Sequence, residues 1–237
     1  MKARKVKKLD PRSTLAENAA RIVRVRLDEV RGFTPAALHE DCMVEQHDMR
    51  IAAKRLRYIL EATEFCFGPA GPVARRRAKD LQDVLGELHD CDVMLPRIER
   101  HLAELRAVDA TAVRSRAGDA PDLDPRLAAR APHRTSYRGL DVLTVYVEAR
   151  RRLLFERFRE FWAEQERAAT WQRLERAAER TLELAQERRE AAERAERAAH
   201  ELAEAEHAER EAAGRARRAA EELRIARRQA GVTAPES

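Results

Sequence analysis

Apolar positions recur at helical spacing from residue 13 to about residue 165. Taking about 100° per residue, Ala16, Val23, Leu27 and Val30 share one face of a first predicted helix, with Arg21, Arg24 and Arg31 opposite. Ser13 or Thr14 is placed to cap that helix, and Gly32 and Pro35 predict its end at Arg31. A second helix is predicted from about His39 to Phe67, closed by the breaker run Gly68-Pro69-Ala70-Gly71-Pro72. A third runs from Val73 to about Val108, with a kink at Pro96, whose ring removes an amide donor and crowds the preceding turn. Gly118, Pro121, Pro125 and Pro132 mark residues 109–135 as a long irregular linker. From Ser136 a fourth helix carries Leu140, Leu143, Val147, Leu154, Phe158 and Phe161 on one stripe, with Trp162 at its edge.

The pattern changes after Trp171. Residues 172–230 hold only six large aliphatics, and residues 166–229 hold 15 Arg against 15 Glu, so this stretch has no globular core of its own. Glu190/Arg194, Glu193/Arg197, Glu206/Arg210 and Glu211/Arg215 are spaced i, i+4, each pair worth about 0.2–0.5 kcal/mol to a solvated helix. A loosely anchored long helix is expected, and the alternative is an Ala-rich coiled coil, for which a sustained Leu repeat is lacking. Were the fourth helix unbroken from 136 to 229, it would be about 140 Å long. The fold class expected is all-α: an antiparallel helical bundle over residues 13–165, with a flexible basic arm at 1–12 and a helical extension at 166–237.

Composition supports this reading. With 44% hydrophobic, 38% charged and 5% aromatic residues, strand signals are nearly absent and the chain falls in the soluble class. The net charge of +5 favours an acidic partner, and 41 Arg against 6 Lys supply planar forks suited to phosphate. Cys42, Cys66 and Cys91 are odd in number and lack CxxC spacing, so a reducing cytoplasm is expected. No membrane span or signal-length apolar stretch is read.

The second helix concentrates the charge. His47, Arg50, Lys54, Arg57 and Tyr58 project to one side, while Met49, Ala52, Ala53, Leu56, Ile59, Leu60 and Thr63 project to the other. Like charges one turn apart repel unless something neutralises them, and a polyanion would do so. Solvent-facing arginines, or partners for acids on a neighbouring helix, are the plainer reading of the same stripe. On the third helix Arg75, Lys79, Gln82, Gly86 and His89 form a second face, with Gly86 leaving room for close approach. Residues 47–79 hold eight Lys or Arg against three Asp or Glu.

Asp80, Asp83, Glu87 and Asp90 are read as ion-pair partners or solvated acids, with a hydrated Mg²⁺ site as the alternative. His89-Asp90-Cys91-Asp92 lacks zinc-like spacing, so no metal centre and no cofactor is expected. Phosphate loops, nucleophile elbows and HExxH helices are also missing, and no catalysis is expected.

His47-x-x-Arg50-x-x-x-Lys54-Arg55-Leu-Arg57-Tyr58, followed by Leu81-Gln-Asp-Val-Leu-Gly-Glu-Leu-His-Asp-Cys-Asp-Val93, resembles the CHAD domain, the conserved histidine α-helical domain. The resemblance extends more weakly back to the first helix and forward to about residue 165. It implies a helical bundle that binds inorganic polyphosphate on a basic surface, associated in some members with polyphosphate granules. Carried to this chain, it implies phosphate contacts for His47, Arg50, Lys54, Arg55, Arg57 and His89. Arg24, Arg75 and Lys79 join them from the helical projections alone.

Family members usually have two similar halves, and one His-x-x-Arg motif here implies either a single half completed by a homodimer or a family fold partly replaced by the long helix. Two other readings stand beside polyphosphate binding. One is a nucleic-acid-binding protein, supported by the basic arm but without stacking aromatics. The other is a coiled-coil scaffold.

Overall fold

The computed structural model describes residues 2–229. Five helices follow in order: α1 (Leu15–Ala37), α2 (Met43–Thr63), α3 (Ala70–Ala117), α4 (Arg134–Arg167) and α5 (Thr170–Gln229). Short 3-10 turns at Glu64–Phe67 and Pro125–Arg130 lie beside α3, and no strand occurs among the described residues. The all-α bundle read from the pattern is therefore the fold. Consecutive helices pack on one another, α1 on α2, α2 on α3 and α3 on α4. Each pair is antiparallel: Gln46 meets Ala37 while Arg55 meets Glu29, His47 meets His89 while Arg57 meets Gln82, and Tyr137 meets Asp109 while Arg150 meets Glu87.

The core is aliphatic and small-residue rich. Leu27, Met49, Leu56, Leu60, Leu81, Leu85 and Leu88 are fully buried, each worth about 1.5–3 kcal/mol relative to exposure. Gly71 sits so close to the preceding 3-10 turn that a Cβ there would lie 2.0 Å from the Glu64 carbonyl oxygen. The breaker run thus starts α3 at Ala70, three residues earlier than its prolines indicate.

Most differences from the sequence reading occur at helix ends. Thr14 caps α1 by accepting a hydrogen bond from the Glu17 amide at 3.3 Å. The helix then continues through Gly32 and Pro35 to Ala37. Carbonyls left open past its end are met from α2, where the Gln46 amide reaches the oxygens of Ala37, His39 and Glu40 at 3.3, 2.8 and 3.3 Å. Helix α2 consequently starts at Met43 and not near His39. Helix α3 runs on through Pro96 to Ala117, well past residue 108.

The reason for that extension is Asp109. It is buried and accepts hydrogen bonds from the His133 amide, the His133 ring at 2.8 Å and the Tyr137 hydroxyl at 2.5 Å. Burial pushes its carboxyl upward, but those donors outweigh it and hold the group below the usual carboxylate range. The irregular connection shrinks to residues 118–133, part of it helical. The basic arm is also less free than expected. The Arg4 amide donates to Glu29 at 2.5 Å and its guanidinium pairs with Asp28, both on α1.

Helix α4 does not run on into the tail. At Ala168 and Ala169 the chain turns, and Trp171 stacks on Trp162 with ring centroids 6.0 Å apart. Trp162 is thus a core residue and not an edge one, while Leu143 from the predicted stripe is exposed. Thr170, Trp171, Leu174 and Ala178 are buried at the start of α5, so the compact unit extends through Leu182, beyond the boundary near 165. Ala169 adopts φ +49°, a left-handed conformation that costs an L-residue about 1–2 kcal/mol. Ala169→Gly is expected to stabilise the protein by about 1 kcal/mol, read as a higher urea midpoint at unchanged slope. No gain would mean the turn is held without strain.

Residues 183–229 form a second unit, described by itself. None of them is buried. Three expected pairs are present, Glu193/Arg197, Glu206/Arg210 and Glu211/Arg215 at 3.5, 3.3 and 3.5 Å, while Arg194 donates to the Glu190 carbonyl oxygen. Residues 230–237 of the predicted extension lie outside the described residues. No described helix is long and apolar enough to cross a membrane.

Candidate anion-binding surface

The motif residues of α2 meet those of α3 along the seam between the two helices. His47 lies against His89, ring centroids 4.4 Å apart. One turn on, Arg50 passes over Gly86, where an added Cβ would sit 3.4 Å from the guanidinium Nε. Further along, Arg57 Nε donates to Gln82 Oε1 at 3.0 Å. The antiparallel crossing thus aligns the spacings 47, 50, 57 and 89, 86, 82 into one row. Side chains of three and four spacing on α2 face the corresponding ones on α3 because both helices bury their apolar stripes on the opposite side.

Partnering differs along the row. Arg57 pairs with Glu61 at 2.5 Å and Lys79 with Asp83 at 2.5 Å. Arg57 and Lys79 are near enough for the one to oppose the other's charge, although Asp83 dominates and holds the Lys79 ammonium above its ordinary range. Lys54 is exposed, and its ammonium lies over the face of the Tyr58 ring, 5.7 Å from the centroid. Arg57 lies over the same ring at 4.5 Å, so Tyr58 orients two cations at once. Arg50 has no carboxylate partner among the described residues, and its buried Nε has no hydrogen-bond acceptor.

His47 is set at the head of the row. Burial of its ring, then the neighbouring His89 and the Arg50 guanidinium, lower its pKa, against a weaker opposite pull from Asp48. Its Nδ1 is buried without a hydrogen-bond partner among the described residues. The two imidazoles border a shallow cleft of about 270 Å³ that Met43, Val44, Asp92 and Val93 complete.

Three of the residues singled out from the sequence lie in other contacts. Arg24 pairs with Glu179 of α5 at 3.6 Å. Arg55 faces α1, where buried Glu29 is 4.0 Å away. Arg75 is tied to Glu64 at 2.6 Å. The acids of α3 are held by ion pairs, Asp80 to Arg77, Asp83 to Lys79 and Glu87 to Arg150.

Two arginines of α4 were not singled out, although they stand in a run Arg150-Arg151-Arg152. Arg150 donates to Glu87 at 2.6 Å and to Cys91 Sγ at 3.5 Å. Arg151 is buried and binds Asp92 at 2.5 Å, the Glu40 carbonyl oxygen at 3.0 Å and Gln46 Oε1 at 3.3 Å. It anchors the middle of α3 behind the histidine pair, three residues on from His89. An arginine triplet is the signal that would have pointed to it.

The bundle of antiparallel helices thus gathers His47, Arg50, Arg57 and His89 along one seam. Residues 2–99 match the model of the CHAD domain. The match spans α1, α2 and the first part of α3, includes the whole seam, and stops short of the residue near 165 to which the resemblance extended. CHAD domains in general are associated with polyphosphate. No curated protein and no solved structure matches the chain.

Proposed function

We propose that the chain binds inorganic polyphosphate, without catalysing its turnover, along the α2–α3 seam. One observation carries this reading: Arg50 and Lys54 stand in a row with His47, Arg57 and Lys79 and lack carboxylate partners among the described residues. Unneutralised cations one turn apart repel each other, and a chain of phosphates relieves that repulsion while accepting charge-assisted hydrogen bonds. Arg24, Arg55 and Arg75 are already engaged by acids and contribute at most to the surrounding field. This reading puts the protein in the cytoplasm, with polyphosphate and its granules.

The test is a titration of the full chain with labelled polyphosphate across a salt and pH series. Affinity should fall as salt rises, since screening weakens exposed charge pairs. His47 is held below its ordinary pKa in the free protein by burial, His89 and Arg50. A bound polyanion favours the imidazolium, so binding takes up a proton and affinity rises as pH falls toward the free protein's pKa, then levels off. Duplex DNA at equal phosphate concentration should compete poorly. Competition at parity would favour the nucleic-acid reading, and pH-independent binding would remove the histidines from the site.

A further inference from the structure

Helix α4 carries apolar side chains on two faces. Val147, Leu154, Phe155, Phe158 and Trp162 point into the core. On the other side Val142, Val145, Tyr146, Ala149 and Leu153 fall within an arc of about 100° over roughly three turns. The four larger ones are between 48% and 66% exposed. Single exposed apolar residues are ordinary, but an unbroken stripe of this length on one helix marks a contact surface. Arg138 precedes the stripe on the same side, and Glu156 and Glu160 follow it. All three are exposed, and none forms an ion pair among the described residues.

We propose that this stripe is a two-fold interface on which α4 packs antiparallel against α4 of a second copy of the chain. A two-fold contact requires a surface complementary to its own reversal. The spacings Val142/Ala149/Glu156 and Tyr146/Leu153/Glu160 are heptad spacings, so the two helices interlock side by side. In one antiparallel register Tyr146 lies over the partner's Ala149, and Leu153 over the partner's Val142. Large side chains then meet smaller ones at each layer, twice over by symmetry. The same register sets Arg138 opposite the partner's Arg157, within one turn of the partner's Glu156 and Glu160 on the stripe itself, at both ends. A parallel arrangement would instead set Arg138 beside the partner's Arg138 and bring the acids together. Charge therefore selects both the occupant and its direction.

Sedimentation equilibrium of the full chain, without polyphosphate, tests this independently of the anion-binding reading. A mass of twice 27.1 kDa is expected at micromolar concentrations. Tyr146→Glu should weaken association about 30-fold or more, the effect of losing an interface hot spot. Helicity should not change, because the residue is exposed and faces away from the core. Arg138→Glu should weaken it as well, and so should Glu156→Arg with Glu160→Arg. Combining all three substitutions should restore the dimer. A monomer throughout the concentration range, or a dimer indifferent to Tyr146→Glu, would overturn the interface. Charge reversals that add without restoring would overturn the antiparallel arrangement.

Discussion

Replacing Arg50, Lys54 and Arg57 together with Gln should weaken polyphosphate binding by at least about 100-fold. Three charge-assisted contacts at about 1.5–3 kcal/mol each set the upper scale. Two effects reduce it. The free protein loses its like-charge repulsion, and Arg57 already shares its charge with Glu61. The remainder still exceeds about 2.7 kcal/mol, the equivalent of two decades. Stability should hardly move, since Met49, Ala52, Ala53, Leu56 and Leu60 on the other side of α2 stay fully buried and Gln is a comparable helix former.

The control is Arg188, Arg189 and Arg194 replaced with Gln, which removes equal formal charge from the second unit. Equal losses in both triple variants would mean that binding follows net charge and not the seam. If neither loses affinity, the ligand lies elsewhere, and the basic arm from Lys2 to Lys8 is the next surface to test.

The second large effect concerns stability. Arg151→Met should destabilise the bundle by about 3–5 kcal/mol, the cost of breaking a buried ion pair from one side. The side chains of Arg151 and Asp92 are only 7% and 10% exposed, so without the guanidinium the carboxylate remains in a poorly hydrated place. The Glu40 carbonyl oxygen and Gln46 Oε1 lose a donor at the same time. Adding Asp92→Asn should recover much of the loss, because an amide tolerates that site uncharged. Urea unfolding of the two variants measures both effects. A loss below about 1 kcal/mol would mean that water reaches Asp92 and that the pair behaves as a surface one.

The helical class was legible because the pattern of large apolar residues on α1, α2 and α3 repeats cleanly, and each of those helices has one buried face. The site was partly legible for the same reason. A stripe at spacings of three and four on α2 and another on α3 names His47, Arg50, Lys54, Arg57, Lys79 and His89 without any coordinates. What projection omits is pairing. Arg24 and Arg75 look equally available on a helical wheel and the family motif adds Arg55, yet Glu179, Glu64 and Glu29 come from elements far along the chain or across a turn.

Helix α4 was the least legible element. Its sequence is apolar on two sides, so the wheel offered Leu143 for the core and put Trp162 at the edge, whereas packing chose the reverse. The turn at Ala169 left no trace either, because neither Gly nor Pro marks it and Ala ordinarily continues a helix. There the folding back of Trp171 onto Trp162 outweighs the local preference.

By itself the sequence determined the helical class, the two motif faces and the shift to a solvated charged tail, since each depends on spacing within one segment. Only the tertiary structure decided where α1, α3 and α4 stop, which cations keep their charge unpaired, and that Arg151 stands behind the histidines. Helix ends and charge partners depend on groups supplied from elsewhere in the chain, Gln46 to the carbonyls beyond α1, His133 and Tyr137 to Asp109, Glu29 to Arg55. A local pattern carries no record of which distant donor or acceptor will arrive.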